Sequence, residues 1–300
     1  MRPSYLKLYE SGKLEEIKNS FVERLAKCDL CPRDCKVNRL EGELGFCRAG
    51  RYAMISSYSL HFGEEPPLVG KGGSGTIFFT WCNLGCIYCQ NYTISHLGEG
   101  VEMKPRELAE VMLSLQRRGA HNINFVTPSH VTAQILEALI IAIEEGLKLP
   151  LVYNSGGYDK ASTLKEMEGI FDIYMPDAKY SDEGHSQKYS RAQNYWKVCK
   201  ETLLEMHGQV GDLAINDEGV AERGLLIRHL VLPNRLAGSI VVLDFIAEKI
   251  SKDSYVNIME QYHPCFQAYK HEELSRGITL EEFKEALDYA AETGLHRGFS

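Results

Sequence analysis

From Thr76 onward, short apolar runs alternate with longer stretches of helical periodicity. Residues 76–80, 123–126, 151–153, 170–175, 225–232 and 255–259 are runs rich in Ile, Val, Leu, Phe and Tyr. Such continuous apolar runs suit strands covered on both faces, as in parallel sheets. Between them, residues 105–118, 131–145, 195–207 and 239–250 read as helices, with Ile135, Leu139 and Ile143 on one face of the second. Thr279 and Glu282 form a capping box that opens a last helix. Six strands alternating with helices predict parallel βα units: an α/β fold built as a partial (β/α)6 TIM-like barrel. Gly and polar residues cluster just after several of these strands, at the edge where parallel α/β folds build their sites.

The N-terminal pattern is different. Residues 4–27 predict a helical entry, with Leu14, Ile17, Phe21 and Leu25 on one stripe. Residues 28–50 hold Cys28, Cys31, Cys35 and Cys47 and too few apolar side chains to pack a core alone, so a metal is expected to hold them. Residues 51–75 read as connecting structure. The expected division is an N-terminal helix and cysteine-rich metal module over 1–60, then the barrel over 61–300.

Composition narrows the function. The 300 residues suffice for one barrel-sized unit with a small appendage, and 44% hydrophobic with 25% charged residues exclude disorder as the main state. A net charge of -8 argues against a dedicated nucleic-acid binder. No apolar run approaches the roughly 18 residues of a membrane span, and the first residues, MRPSYLKL, contain no long apolar region. Nine cysteines in such a chain point to metal ligation in the cytoplasm, not to a secreted disulfide framework.

Seven of the nine fall in two groups. Cys82, Cys86 and Cys89, spaced C-x3-C-x2-C directly after the first barrel strand, can hold three irons of a 4Fe–4S cluster and leave the fourth open to a small molecule. A closed structural zinc site would want four ligands. The other group, C-x2-C-x3-C-x11-C, supplies four thiolates within twenty residues; its spacing fits either tetrahedral zinc or a fully ligated second 4Fe–4S cluster. Cys199 reads as a core thiol, and Cys265 as a small buried hydrophobe or a radical relay.

The three-cysteine motif at this place in an α/β barrel resembles the radical S-adenosylmethionine (SAM) superfamily. Gly73–Phe79, Cys89-Gln90-Asn91, residues 31–39, 124–130, 174–180 and 228–233 resemble its subgroup related to pyruvate formate-lyase activating enzyme. The resemblance implies that the open iron chelates the amino and carboxylate groups of SAM and that reduction yields methionine and a 5′-deoxyadenosyl radical. It further implies that Tyr88 lies near the adenine, that the Asp177–Lys179 pair lines the site, and that the loop after the second barrel strand meets the SAM amino group. Here that loop reads Thr127-Pro128-Ser129-His130, a departure from the family's Gly-Gly-Glu-like segment, although the Thr127 and Ser129 hydroxyls can accept from an ammonium; Ser129 also suits a helix N-cap. Asn154 and Ser155 offer short polar groups for the SAM carboxylate or ribose. Either Arg228 or His229 faces the barrel interior, since strand neighbours point oppositely; an inward Arg228 would bind an anion.

The implied enzyme is an oxidoreductase or lyase of radical type, with a reductant such as flavodoxin or ferredoxin and a glycyl radical enzyme as protein substrate. Modification of a small molecule or of a non-glycine residue is the alternative within that class. Outside it stand a non-enzymatic iron–sulfur electron-transfer protein and a zinc-stabilised binding barrel. Glycyl-radical activators carry their extra cysteines just after the SAM motif, whereas here they precede it.

Overall fold

A computed structural model of the chain describes residues 2–299. Its nine strands are β1 (Ala53–His61), β2 (Ser74–Phe79), β3 (Val101–Met103), β4 (Ile123–Val126), β5 (Leu151–Ser155), β6 (Ile173–Pro176), β7 (Ala214–Ile215), β8 (Ala221–Leu230) and β9 (Tyr255–Met259). β2, β4, β5, β6, β8 and β9 are successive parallel neighbours, so the six expected barrel strands are all present and in the expected order. The fold is α/β with an open, parallel-stranded partial barrel. Helices Pro105–Arg117, Thr132–Glu144, Ala161–Glu166, Tyr195–Val210 and Ser239–Phe245 fall between these strands. The Thr279–Glu282 capping box is formed: the Glu282 amide donates to Thr279 Oγ1 at 3.2 Å and the Thr279 amide to Glu282 Oε2 at 2.8 Å.

The segment 51–75 departs from expectation. It carries β1, which pairs antiparallel with β2 on one side and with β3 on the other, and which runs across residue 60. Its sequence, AMISSYSLH, lacks a continuous apolar run because its middle is exposed, so the pattern that marks a doubly buried strand is missing. The N-terminal helix is also divided. Gly12, at φ 79°, breaks it into Tyr5–Glu10 and Lys13–Glu23. Leu14, Phe21 and Leu25 are buried as the stripe requires, in the same apolar cluster as the barrel helices. The Tyr5 hydroxyl donates to the Leu149 carbonyl at 3.0 Å, and the Ser4 amide to Asp172 Oδ1 at 2.9 Å. Among the described residues no helix is long and apolar enough to cross a membrane.

Inside the barrel, alternate strand positions share a face. Val152, Ile173, Met175 and Leu226 join Leu68 in a second apolar cluster. Two residues further along β5, past the end of β6, and along β8 stand Asn154, Asp177 and Arg228. The interior therefore changes from apolar to charged toward the C-terminal ends of the strands.

Candidate active site

A cavity of about 160 Å³ opens at those strand ends. Cys82, Cys86 and Cys89 line it together with Thr127, Asn154, Ser155, Asp177, Lys179 and Arg228. Nine of the residues singled out from the sequence, drawn from five chain segments, thus meet in one place. Tyr88 and Ser129 stand outside its lining. Tyr88 is buried against Tyr180 and Tyr262, and its hydroxyl lies 2.6 Å from that of Tyr180. Ser129 borders the four-cysteine pocket instead.

The loop carrying the three thiols is fixed from several sides. Asn83 donates from Nδ2 to the Tyr158 carbonyl at 2.7 Å, and Arg33 Nε donates to the Asn83 carbonyl at 2.7 Å. The sulfurs accept hydrogen bonds: Cys86 Sγ from Ser190 Oγ at 2.9 Å, Cys89 Sγ from Ser95 Oγ at 3.2 Å, and Cys82 Sγ from the Leu84 amide at 3.3 Å. Such bonds tune the potential of a thiolate-bound cluster. Burial pushes the Cys82 thiol up to about 12, with Cys86 beside it adding to the effect.

Opposite the thiols lies a charged network. Arg228 Nε donates to Asp177 Oδ1 at 2.8 Å and Nη2 to Asn154 Oδ1 at 2.9 Å. Lys179 Nζ donates to Asp177 Oδ2. Burial works to raise the Asp177 carboxyl, but Arg228 and Lys179 outweigh it and hold it below its usual value. Arg228 is the inward member of its pair. His229 points away and is fully buried, with Nδ1 2.7 Å from the Ala178 carbonyl and Nε2 2.8 Å from Ser239 Oγ. Burial pushes its imidazole down to about 4, so it is neutral and structural.

Several participants carry no local signal in the sequence. Glu64 and Glu65, just after β1, place carboxylate oxygens 3.9 and 3.8 Å from Arg228 Nη1. Burial raises the Glu64 carboxyl to about 7, against the pull of Arg228 and with Glu65 adding to the rise. Asn257 on β9 donates to Glu65 Oε1 at 3.0 Å. The Tyr195 hydroxyl sits 2.9 Å from the carbonyls of Gly156 and Asp177 and accepts the Lys179 amide, joining the loops after β5 and β6. Cys199 is fully buried in its helix, as expected of a core thiol, and Cys265 does not reach the cavity.

Among the described residues no three His, Cys, Asp or Glu side chains converge as ligands of a single metal ion. A 4Fe–4S cluster does not ask for that convergence, because each thiolate binds a different iron. One buried and two half-buried thiols, lining a cavity together with carboxylate, amide and guanidinium groups, fit such a cluster with a zwitterionic ligand on its open iron.

Residues 76–209 match the family model of the radical SAM superfamily. The chain is 32% identical to the uncharacterized protein MJ0674 of Methanocaldococcus jannaschii over 98% of its length and 81% of that protein's. It is 24% identical to MJ0808 of the same organism, over 87% of this chain and 81% of that one. A radical SAM methyltransferase from Sphaerobacter thermophilus has a similar fold, with a TM-score of 0.50 at 12% identity, over 76% of this chain and 66% of that one. Cavity, thiols and sheet order define a SAM-binding iron–sulfur barrel, and the chain belongs to the radical SAM superfamily.

Proposed function

We propose that this chain reductively cleaves SAM and directs the resulting 5′-deoxyadenosyl radical at a hydrogen of a protein partner, the backbone glycine of a glycyl radical enzyme. One observation carries the reading: Cys82, Cys86 and Cys89 share a cavity with Asp177, Lys179, Asn154 and Arg228. In this reading the three thiolates hold the 4Fe–4S cluster, which supplies one electron to bound SAM. Arg228 receives the SAM carboxylate, and Asn154, Ser155 and Thr127 meet its polar groups. The Asp177–Lys179 pair fixes the orientation of these loops. The glycine partner rests on the subgroup resemblance and on exposed residues beside the cavity. Asn91, part of the lining, is exposed, and Leu97 stands 58% exposed a few residues beyond it, so a chain segment can approach from this side. A reductant of the flavodoxin or ferredoxin class and a cytoplasmic setting belong to the same reading, since thiolate clusters need reducing surroundings.

Anaerobically reconstituted protein supplied with dithionite and SAM should release 5′-deoxyadenosine, and Cys86→Ala should abolish it. Absence of that product from a fully loaded protein would overturn the reading. Mixing with a glycyl radical enzyme should produce a glycine-centred doublet in the EPR spectrum. Product formation that is stimulated only by a small molecule would move the assignment to the small-molecule class.

A further inference from the structure

The four N-terminal cysteines come together. Cys28, Cys31, Cys35 and Cys47 all line one small pocket, with Arg39, Ser129 and His130 among its other lining residues. Arg39 is almost completely buried, at 1% exposure. Its Nη1 donates to Cys28 Sγ at 3.8 Å and to the His130 carbonyl at 2.9 Å, while Nε and Nη2 donate to the Gly50 carbonyl. The Phe46 amide donates to Cys35 Sγ at 3.5 Å. A side chain on Gly45 would press on Cys35 Sγ at 2.9 Å, so the backbone there closes tightly on the thiol. Burying an arginine among apolar and thiol groups is costly without a counter-charge. Four thiolates around a metal centre supply one.

The pocket adjoins the SAM cavity. Thr127 lines one and Ser129 the other, and two residues of extended chain span at most about 7 Å. Two hydrogen-bonded bridges connect them. One runs from Cys28 through Arg39 to the His130 carbonyl; the His130 imidazole Nε2 then lies 2.9 Å from the Thr80 carbonyl, two residues before Cys82. The other is Arg33, which lines the four-cysteine pocket and whose Nε donates to the carbonyl of Asn83, the residue after Cys82. Arg33 is itself clamped by Phe46, whose ring centre is 3.5 Å from the guanidinium carbon.

We propose that this pocket holds a second iron–sulfur cluster, of the fully ligated 4Fe–4S class, placed to pass electrons to the SAM site. The four sulfurs line a shared cavity without converging on a point, the same open arrangement that Cys82, Cys86 and Cys89 show. Tetrahedral zinc would draw its four sulfurs to about 2.3 Å from a single centre. The relay moves one electron and no atoms. A low-potential donor of the flavodoxin or ferredoxin class is oxidised by one electron, the N-terminal cluster is reduced from its 2+ to its 1+ core, and it returns to 2+ when that electron passes inward.

Metal analysis of the whole chain, purified and reconstituted with ferrous iron and sulfide without oxygen, tests the assignment. The wild type should carry about eight irons, and the Cys82→Ala/Cys86→Ala/Cys89→Ala variant about four, with an EPR signal on dithionite reduction. About four irons and one zinc in the wild type would overturn the proposal without reference to any variant. Adjacency has its own readout. Fully reduced wild type should show a spin-coupled, broadened EPR spectrum that separates into a simple signal in Cys28→Ser/Cys31→Ser. A wild-type spectrum that is the plain sum of two isolated clusters would overturn the relay. Arg33→Gln removes a cation that favours the reduced state of both clusters, so both midpoint potentials should fall; no change in either would count against the bridge. None of these measurements depends on 5′-deoxyadenosine formation, so they fail or succeed separately from the proposed reaction.

Discussion

Arg228 is held by groups from three distant parts of the chain: Asp177, Asn154 and the Glu64–Glu65 pair. Removing it would leave Asp177 with Lys179 alone and two carboxyls without their cation, a loss of about 3–5 kcal/mol for a broken buried pair. Glu64 makes the neighbourhood pH-dependent. Its carboxyl is raised to about 7, chiefly by burial. As pH rises through that value, a negative charge appears beside Arg228, and the attraction of Arg228 for the SAM carboxylate weakens. Equilibrium binding of SAM to the loaded enzyme should therefore weaken several-fold from pH about 6 to about 8, and Glu64→Gln should flatten that slope. An unchanged slope in the variant would show that the charge lies elsewhere.

At the scale of elements, loops after the parallel strands hold the site because backbone contacts fix them to one another. Gly157 sits at φ 68°, and a Cβ there would lie 2.0 Å from the Asp177 carbonyl. Only glycine permits this close approach of the loops after β5 and β6. Gly157→Ala should push Asp177 off its place between Arg228 and Lys179, displace the Tyr195 hydroxyl bridge, and cost about 1–3 kcal/mol. The expected reading is a lower Tm and at least tenfold weaker SAM binding with unchanged iron content. Intact SAM binding would show that the two loops move independently. The sequence marked Asn154-Ser155-Gly156-Gly157 as a polar turn, but it could not show that the turn abuts residue 177. That contact joins loops from adjacent strands and has no periodicity to reveal it.

For the whole molecule, the N-terminal segment and the barrel share one apolar cluster, which extends from Tyr5, Leu14 and Phe21 to the barrel helices. Acid should act on this unit through two buried imidazoles, His130 and His229, which burial pushes down to about 4. Unfolded, they bind protons near pH about 6.5. The folded state is therefore spared this cost above about 6.5 and loses stability as pH falls toward about 4, by up to about 3 kcal/mol for each imidazole. Glu64 acts in the opposite sense, since its raised carboxyl favours the folded state as pH drops below about 7. Denaturant unfolding at fixed metal content should show a smaller loss between pH about 6.5 and 4 in His229→Gln than in the wild type; equal losses would place the acid sensitivity in other groups.

The six parallel strands, the helices at Pro105–Arg117, Thr132–Glu144, Tyr195–Val210 and Ser239–Phe245 and the two cysteine groups were legible in the sequence, because doubly buried strands, amphipathic helices and thiol spacings are local patterns, whereas the six-residue helix Ala161–Glu166 is too short to show a period. That Arg228, not His229, faces inward was open in the sequence, since alternation places the two on opposite faces but does not say which face is the interior. The antiparallel strands β1 and β3 were not legible, because their half-exposed residues form no continuous apolar run. The placement of Tyr88 in a tyrosine cluster, of Ser129 at the four-thiol pocket, and of Glu64, Glu65, Arg33 and Tyr195 around the site was decided only by tertiary structure. Each of these depends on partners far away in the chain, brought near by the closure of the sheet, and burial there set both their charge and their contacts.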